Sequence, residues 1–244
     1  MSYKIDFRLV CFVFCSLSTV AFGFFLSPFW SAVVGILTVW FLVHFIIKKS
    51  AAEFLALPRS LKNWGACIGY YIAGLLLFFC VQKSLAQLNP NFEARWSHIA
   101  LSVFLVVPIQ SFYEEIVFRG IVLRHLFLER NLPPVFGIVV VGIFFSLTHW
   151  LNYNLTEGVI LHISTLIALF FLGSVGNILF YQQGHLGGAW GFHAGWNSLR
   201  FSFIYALNNQ ALSEGQSFNA LEGSAVGLIF SSVIFLVAKK RVNT

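Results

Sequence analysis

The chain has 244 residues, of which 58% are hydrophobic and only 10% charged, with mean hydropathy +0.82. A soluble domain carries about 25% charge, so a water-soluble fold is excluded and an integral membrane protein is expected. The net charge of +6 is no nucleic-acid signal, because Lys and Arg cluster at the ends of apolar segments.

Eight apolar segments follow one another, at about 9–26, 29–47, 64–82, 98–118, 134–151, 159–181, 187–207 and 224–238. Their length suits spanning helices rather than barrel strands, and predicts an all-α polytopic bundle of about eight transmembrane helices. The connections are short, so residues 1–244 read as a single membrane domain. The 29 Phe and 7 Trp suit lipid-facing and interfacial positions. The first segment is longer than the apolar core of a usual signal peptide and reads as a retained span. Cys11, Cys15, Cys67 and Cys80 all lie inside apolar segments, which reads as packing rather than a disulfide framework or metal site.

The basic residues orient the bundle. With the N-terminus cytoplasmic, twelve fall on the cytoplasmic side: Lys4, Arg8, Lys48, Lys49, Arg59, Lys62, Arg119, Arg124, Arg130, Lys239, Lys240 and Arg241. Only Lys83 and Arg95 fall opposite, and Arg200 lies within a segment. Both termini are therefore expected in the cytoplasm. The loop at 208–223 carries Glu214 and Glu222 and no basic residue, as an outside loop should.

The fourth segment holds the chemistry. Glu114 and Glu115 adjoin inside it, and Arg119 follows one turn later. Each ionisable group in a bilayer segment costs about 2.5–3.5 kcal/mol on insertion scales, so such groups face the bundle interior and mark function. Glu115 and Arg119 are i,i+4 and form a natural ion pair. Glu114 points elsewhere, with Phe118 beneath it, as the free carboxylate. Pro108, six residues earlier, is expected to kink the helix.

Segments four and five read as a hairpin turning at Asn131-Leu132-Pro133-Pro134, since proline ends one helix and can begin the next. Glu114 lies 17 residues before Asn131, and His149 lies 17 after Leu132. At about 1.5 Å per residue both reach roughly 25 Å from the turn, so their side chains should meet. In segment seven, His193 and Asn197 are i,i+4, while Gly187, Gly191 and Gly195 recur on the opposite side. That small-residue stripe is expected to pack a neighbouring helix. His44, His98, His125, His162 and His185 read as packed, hydrogen-bonding residues.

The three motifs, E114-E-I-V-F-R119, F145-S-L-T-H149 and H193-A-G-W-N197, resemble the EExxxR, FxxxH and HxxxN/D pattern of the CPBP family. These are the CAAX-protease and bacteriocin-processing intramembrane peptidases, also called the Abi family. The resemblance covers about residues 97–207. It implies an all-helical intramembrane endopeptidase that acts on a membrane-associated protein or peptide. Glu114 stands where the family has its water-activating glutamate. His149 and His193 take the places of its catalytic histidines, and Asn197 that of its oxyanion-stabilising residue. Glu115 and Arg119 complete the six-residue site. Eukaryotic members cut prenylated CAAX proteins, whereas many bacterial members are linked to bacteriocin maturation, self-immunity or regulation.

No cofactor is required by this reading. The spacing neither requires nor excludes Zn²⁺, for which His149, His193 and Glu114 could supply the ligands and leave a fourth position for water. The competing readings are a non-proteolytic scaffold or bacteriocin self-immunity protein, and an ion-coupled carrier. The carrier is disfavoured because no inverted repeat with broken helices is visible.

Overall fold

The structure, a computed structural model, describes residues 28–48, 50–84, 105–157 and 163–206. The expected first and last spans, both termini, the loop at 208–223 and residues 98–104 of the fourth segment lie outside the described residues, as do His98 and His162.

Within the described residues helices occupy the expected segments and no strand occurs. Helix α1 is Pro28–Phe41, extended by a π-helical stretch, Leu42–Ile47. A four-residue helix, α2 (Ala51–Phe54), interrupts what reads in the sequence as a loop. Helix α3 is Leu61–Ser84, α5 is Pro134–Glu157, α6 is Ile163–Gln183 and α7 is Gly187–Ala206. Among the described residues, Pro134–Leu151 is long and apolar enough to cross a membrane, with mean hydropathy 1.9, and Phe29–Phe45 is apolar but shorter.

Helix α4 begins as an α-helix, Val107–Glu115, then continues with wider i→i+5 bonding over Ile116–Phe127 and closes in a 3₁₀ turn, Leu128–Arg130. Nine consecutive residues, Glu115–Leu123, are buried. A helix apolar and buried on all sides belongs at the centre of a bundle, and α1, α5, α6 and α7 all pack on α4. Arg119 is therefore not a basic residue at a cytoplasmic edge, as its place in the charge count assumes. The helix runs on past Phe118, and the Arg119 side chain is 1% exposed. The basic asymmetry keeps its direction without it.

Pro108 stands where α4 passes from π-type bonding at Leu105 and Val106 into the α-helix. Having no N–H to give, it suits a change of bonding pattern. The α4–α5 turn forms where expected. Asn131 takes a left-handed conformation (φ 55°), which asparagine tolerates better than most residues, and Pro134 is the first residue of α5.

The glycine stripe of α7 packs on α3. A Cβ at Gly191 would overlap the Cys67 carbonyl, and one at Gly195 the Tyr71 carbonyl. At Gly187 it would stand 3.1 Å from the Asn63 carbonyl. Three glycines spaced by four thus meet three carbonyls spaced by four. The close approach directs the other side of α7, with His193 and Asn197, toward α4.

Segment α2 is tied to the end of α4. His125 sets Nδ1 2.6 Å from Glu129 Oε2 and Nε2 3.0 Å from the Phe54 carbonyl, with its ring stacked on Phe54. Arg124 donates to Glu129 and to the Phe54 carbonyl. Burial pushes the Glu129 carboxyl up, but the hydrogen bond and charge of His125 and the nearby Arg124 outweigh it and hold the group below the usual carboxylate range. His185 accepts the Gly187 N–H at 3.1 Å where α7 begins, and burial holds its imidazole below the usual value. Both histidines are packing residues, as the sequence suggests.

Candidate active site

Three helices, α4, α5 and α7, bring the expected residues together, and α6 closes against them. Glu115 and Arg119 form the anticipated ion pair, Nη1 to Oε1 at 2.9 Å, with both side chains 1% exposed. A pair so fully desolvated keeps its charges only if further hydrogen bonds support it. Arg119 Nη2 donates to the Gly173 carbonyl on α6 at 2.6 Å. Its guanidinium carbon lies 4.9 Å from the centroid of the Phe145 ring, within cation–π range.

The same Glu115 Oε1 lies 2.8 Å from His193 Nδ1. Because that oxygen belongs to a carboxylate already paired with Arg119, the ring nitrogen is the donor. His149 Nδ1 lies 2.8 Å from the carbonyl of Phe145, one turn earlier on α5. A carbonyl only accepts, so this nitrogen donates as well. The hydrogen bond made by one ring nitrogen sets the role of the other. In the neutral rings both Nε2 atoms are left as acceptors.

Both Nε2 atoms face one oxygen. Glu114 Oε2 lies 3.7 Å from His149 Nε2 and 3.7 Å from His193 Nε2. The equal heights of Glu114 and His149 above the turn are thus realised. At 3.7 Å none of these atoms is hydrogen-bonded to another, and Glu114 Oε2 is a buried oxygen with no hydrogen-bond partner. Glu114 Oε1 accepts a long bond, 3.4 Å, from Gln110 Nε2.

A cavity of about 40 Å³ adjoins the group, lined by Glu115, Arg119, His149, His193 and Asn197 together with apolar side chains that include Phe145 and Trp196. About 10–15 Å³ holds one water, so one or a few fit. Three acceptors converge beside a space of water size, and a water molecule has two hydrogens to give. The arrangement can bind a water, orient it and remove one of its protons.

The same atoms do not make a metal site as placed. Zn²⁺ holds its donors at about 2.0–2.2 Å, which sets tetrahedral neighbours roughly 3.3–3.5 Å apart. The spacing here is wider, and no group of three or more His, Cys, Asp or Glu among the described residues has the geometry to hold an ion.

Some participants carry no chemical signature in the sequence. Gly173 contributes only a carbonyl, and Phe145 contributes a ring face as well as the spacing to His149. Trp190 ties α7 to α4 by donating from Nε1 to the Pro108 carbonyl at 2.9 Å. Gln110 is the one of these that its place could have revealed, one turn before Glu114 on the same face.

Residues 96–199 match the family described as type II CAAX prenyl endopeptidase Rce1-like. Over 218 residues the chain is 27% identical to the uncharacterized protein YyaK of Bacillus subtilis (strain 168), a match covering 83% of this chain and 71% of that protein. No solved structure matches the chain. The matched region spans all three motifs and the residues lining the cavity between them, so the part of the chain that holds the site is the part similar to the type II CAAX prenyl endopeptidase Rce1-like family.

Proposed function

We propose that the chain is an intramembrane endopeptidase that hydrolyses a peptide bond of a membrane-associated protein or peptide with water activated by Glu114. The observation that carries this reading is the convergence of Glu114 Oε2 and two Nε2 acceptors, 3.7 Å from each, beside a water-sized cavity. Water in that cavity donates one hydrogen to Glu114 and is held by an imidazole. As its oxygen bonds to the scissile carbonyl carbon, its proton passes to Glu114. The carbonyl oxygen becomes an oxyanion facing the Asn197 amide. When the C–N bond breaks, Glu114 returns the proton to the leaving nitrogen. Glu115 and Arg119 hold His193 in its tautomer throughout.

A non-proteolytic scaffold or immunity protein offers no account of a glutamate and two imidazoles converging beside a water-sized cavity. The direct test compares membrane peptides from cells carrying the wild-type chain with those from cells carrying Glu114→Ala. Fragments that depend on Glu114 are expected, and identical peptide sets would sink the proposal.

The metal question follows from the spacing. In our reading activity survives prolonged chelation, and purified active protein carries less than about one equivalent of metal. Stoichiometric zinc, lost with activity and restored together with it, would reverse this and make His149, His193 and Glu114 ligands.

The membrane setting is proposed as eight spans with both termini cytoplasmic. Large apolar side chains lie open on the outer faces of the helices, among them Trp30, Leu37, Ile68, Ile72, Phe136 and Ile143. Exposed apolar area of that extent is normal only against lipid or a partner. A reporter joined after Thr244 is expected to behave as cytoplasmic. If it is translocated, the span count is wrong.

A further inference from the structure

Helix α6 supplies no acid, base or amide to the site, yet it touches a fully buried charge of the site. Arg119 Nη2 donates to the Gly173 carbonyl at 2.6 Å. One turn on, a Cβ at Gly176 would stand 2.6 Å from Arg119 Nη2 and 2.9 Å from its Cζ. Real Cβ atoms do not approach so closely, and the guanidinium cannot retreat freely. Nη1 is held by Glu115, and the Phe145 ring lies 4.9 Å from Cζ. Phe145 is in turn fixed against α6, since a Cβ at Gly173 would stand 3.0 Å from its Cδ1. Two glycines thus shape a slot for the guanidinium.

We infer that Gly176 is a positioning residue for His193, acting through Arg119 and Glu115. The chain of contacts is continuous: Gly176 admits Arg119, Arg119 holds Glu115 Oε1 at 2.9 Å, and Glu115 Oε1 takes the Nδ1 hydrogen of His193 at 2.8 Å. A methyl at 176 displaces the guanidinium and leaves the Glu115 carboxylate buried without its counter-charge. Arg119 then no longer holds Glu115 Oε1 against His193 Nδ1. Without that fixed acceptor the Nδ1 tautomer is not enforced, and the imidazole hydrogen is free to sit on Nε2. His193 would present a donor to Glu114 where the wild-type chain presents an acceptor. The effect on turnover rests on the peptidase reading, whereas the tautomer change does not.

The test uses the full chain, labelled with ¹⁵N-histidine, in detergent micelles. Imidazole nitrogen shifts report which nitrogen carries the hydrogen, and a His193→Gln spectrum assigns the signal. Wild type is expected to show His193 with Nδ1 protonated, and Gly176→Ala to show a substantial Nε2-protonated population. Gly142→Ala is the control. Its methyl also crowds the α5–α6 contact, 2.7 Å from Ser174 Oγ, but should leave the tautomer unchanged. An unaltered His193 signal in folded Gly176→Ala, or the same change in Gly142→Ala, overturns the inference.

Should Gly176→Ala not fold, Arg119→Lys provides the second arm, because the slimmer lysine head leaves room for the methyl. Adding Gly176→Ala to Arg119→Lys should then cost no further melting temperature, and an additional loss overturns the slot. On a peptide that the wild type cleaves, Gly176→Ala should lower kcat about 10- to 100-fold, at the lower end of what a positioned acid or base contributes, with KM within about two-fold. An unchanged kcat beside an altered tautomer refutes the positioning role. A wild-type chain that cleaves nothing refutes the peptidase reading and leaves the tautomer result standing.

Discussion

Glu114→Gln should abolish peptide hydrolysis and leave melting in detergent close to wild type, whereas Glu115→Gln should lower both. The two residues adjoin and differ by the same atoms when replaced, so their surroundings decide the outcome. The Glu114 side chain is 13% exposed, and outside the imidazole pair it accepts a long, 3.4 Å bond from Gln110. Glutamine keeps the shape and removes only the oxygen that takes the proton. Glu115 is fully buried and holds Arg119 at 2.9 Å and His193 at 2.8 Å through one oxygen. Its replacement leaves Arg119 as a buried charge with no anion in contact, and breaking a buried pair in this way costs about 3–5 kcal/mol. For a domain of this size that is a loss of several degrees in melting temperature. Equal melting temperatures for the two variants would refute the division of labour. Residual turnover in Glu114→Gln comparable to wild type would remove Glu114 from the chemistry.

Much of the geometry is legible in the sequence wherever it depends on local periodicity. The Glu115–Arg119 pair follows from an i,i+4 spacing, and the meeting of Glu114 with His149 from equal distances to a turn marked by two prolines. The glycines at 187, 191 and 195 read as a packing face for the same reason. What the sequence leaves out depends on partners remote along the chain. The glycine stripe does not announce that it meets the carbonyls of Asn63, Cys67 and Tyr71, because every residue carries a carbonyl. Arg119 reads from the sequence as the partner of Glu115, but the rest of its compensation, the Gly173 carbonyl and the Phe145 ring, does not. The widening of α4 into π-type bonding after Glu115 has no composition signal either. It begins in a stretch buried from Glu115 through Leu123, where tertiary packing rather than propensity decides the backbone. The role of each nitrogen of His149 and His193 becomes readable only once the partner of Nδ1 is known.

Asn197→Ala should lower kcat about 100- to 1000-fold, the usual cost of removing one preorganised oxyanion donor, while KM changes little. The residue sits one turn beyond His193 on α7 and lines the same cavity as His149 and Arg119. Arg119 is engaged by Glu115 and Gly173 through Nη1 and Nη2 but keeps an unpartnered Nε, and both imidazoles donate through Nδ1 away from Glu114. The Asn197 amide is the one side-chain amide lining the cavity, which makes it the proposed donor for a developing negative charge. A ground-state carbonyl gains less from such a donor than the tetrahedral oxyanion does, and only that difference accelerates the reaction. The loss should therefore appear in kcat and kcat/KM by similar factors. A variant whose KM rises while kcat holds would make Asn197 a substrate-binding residue and require another donor for the oxyanion.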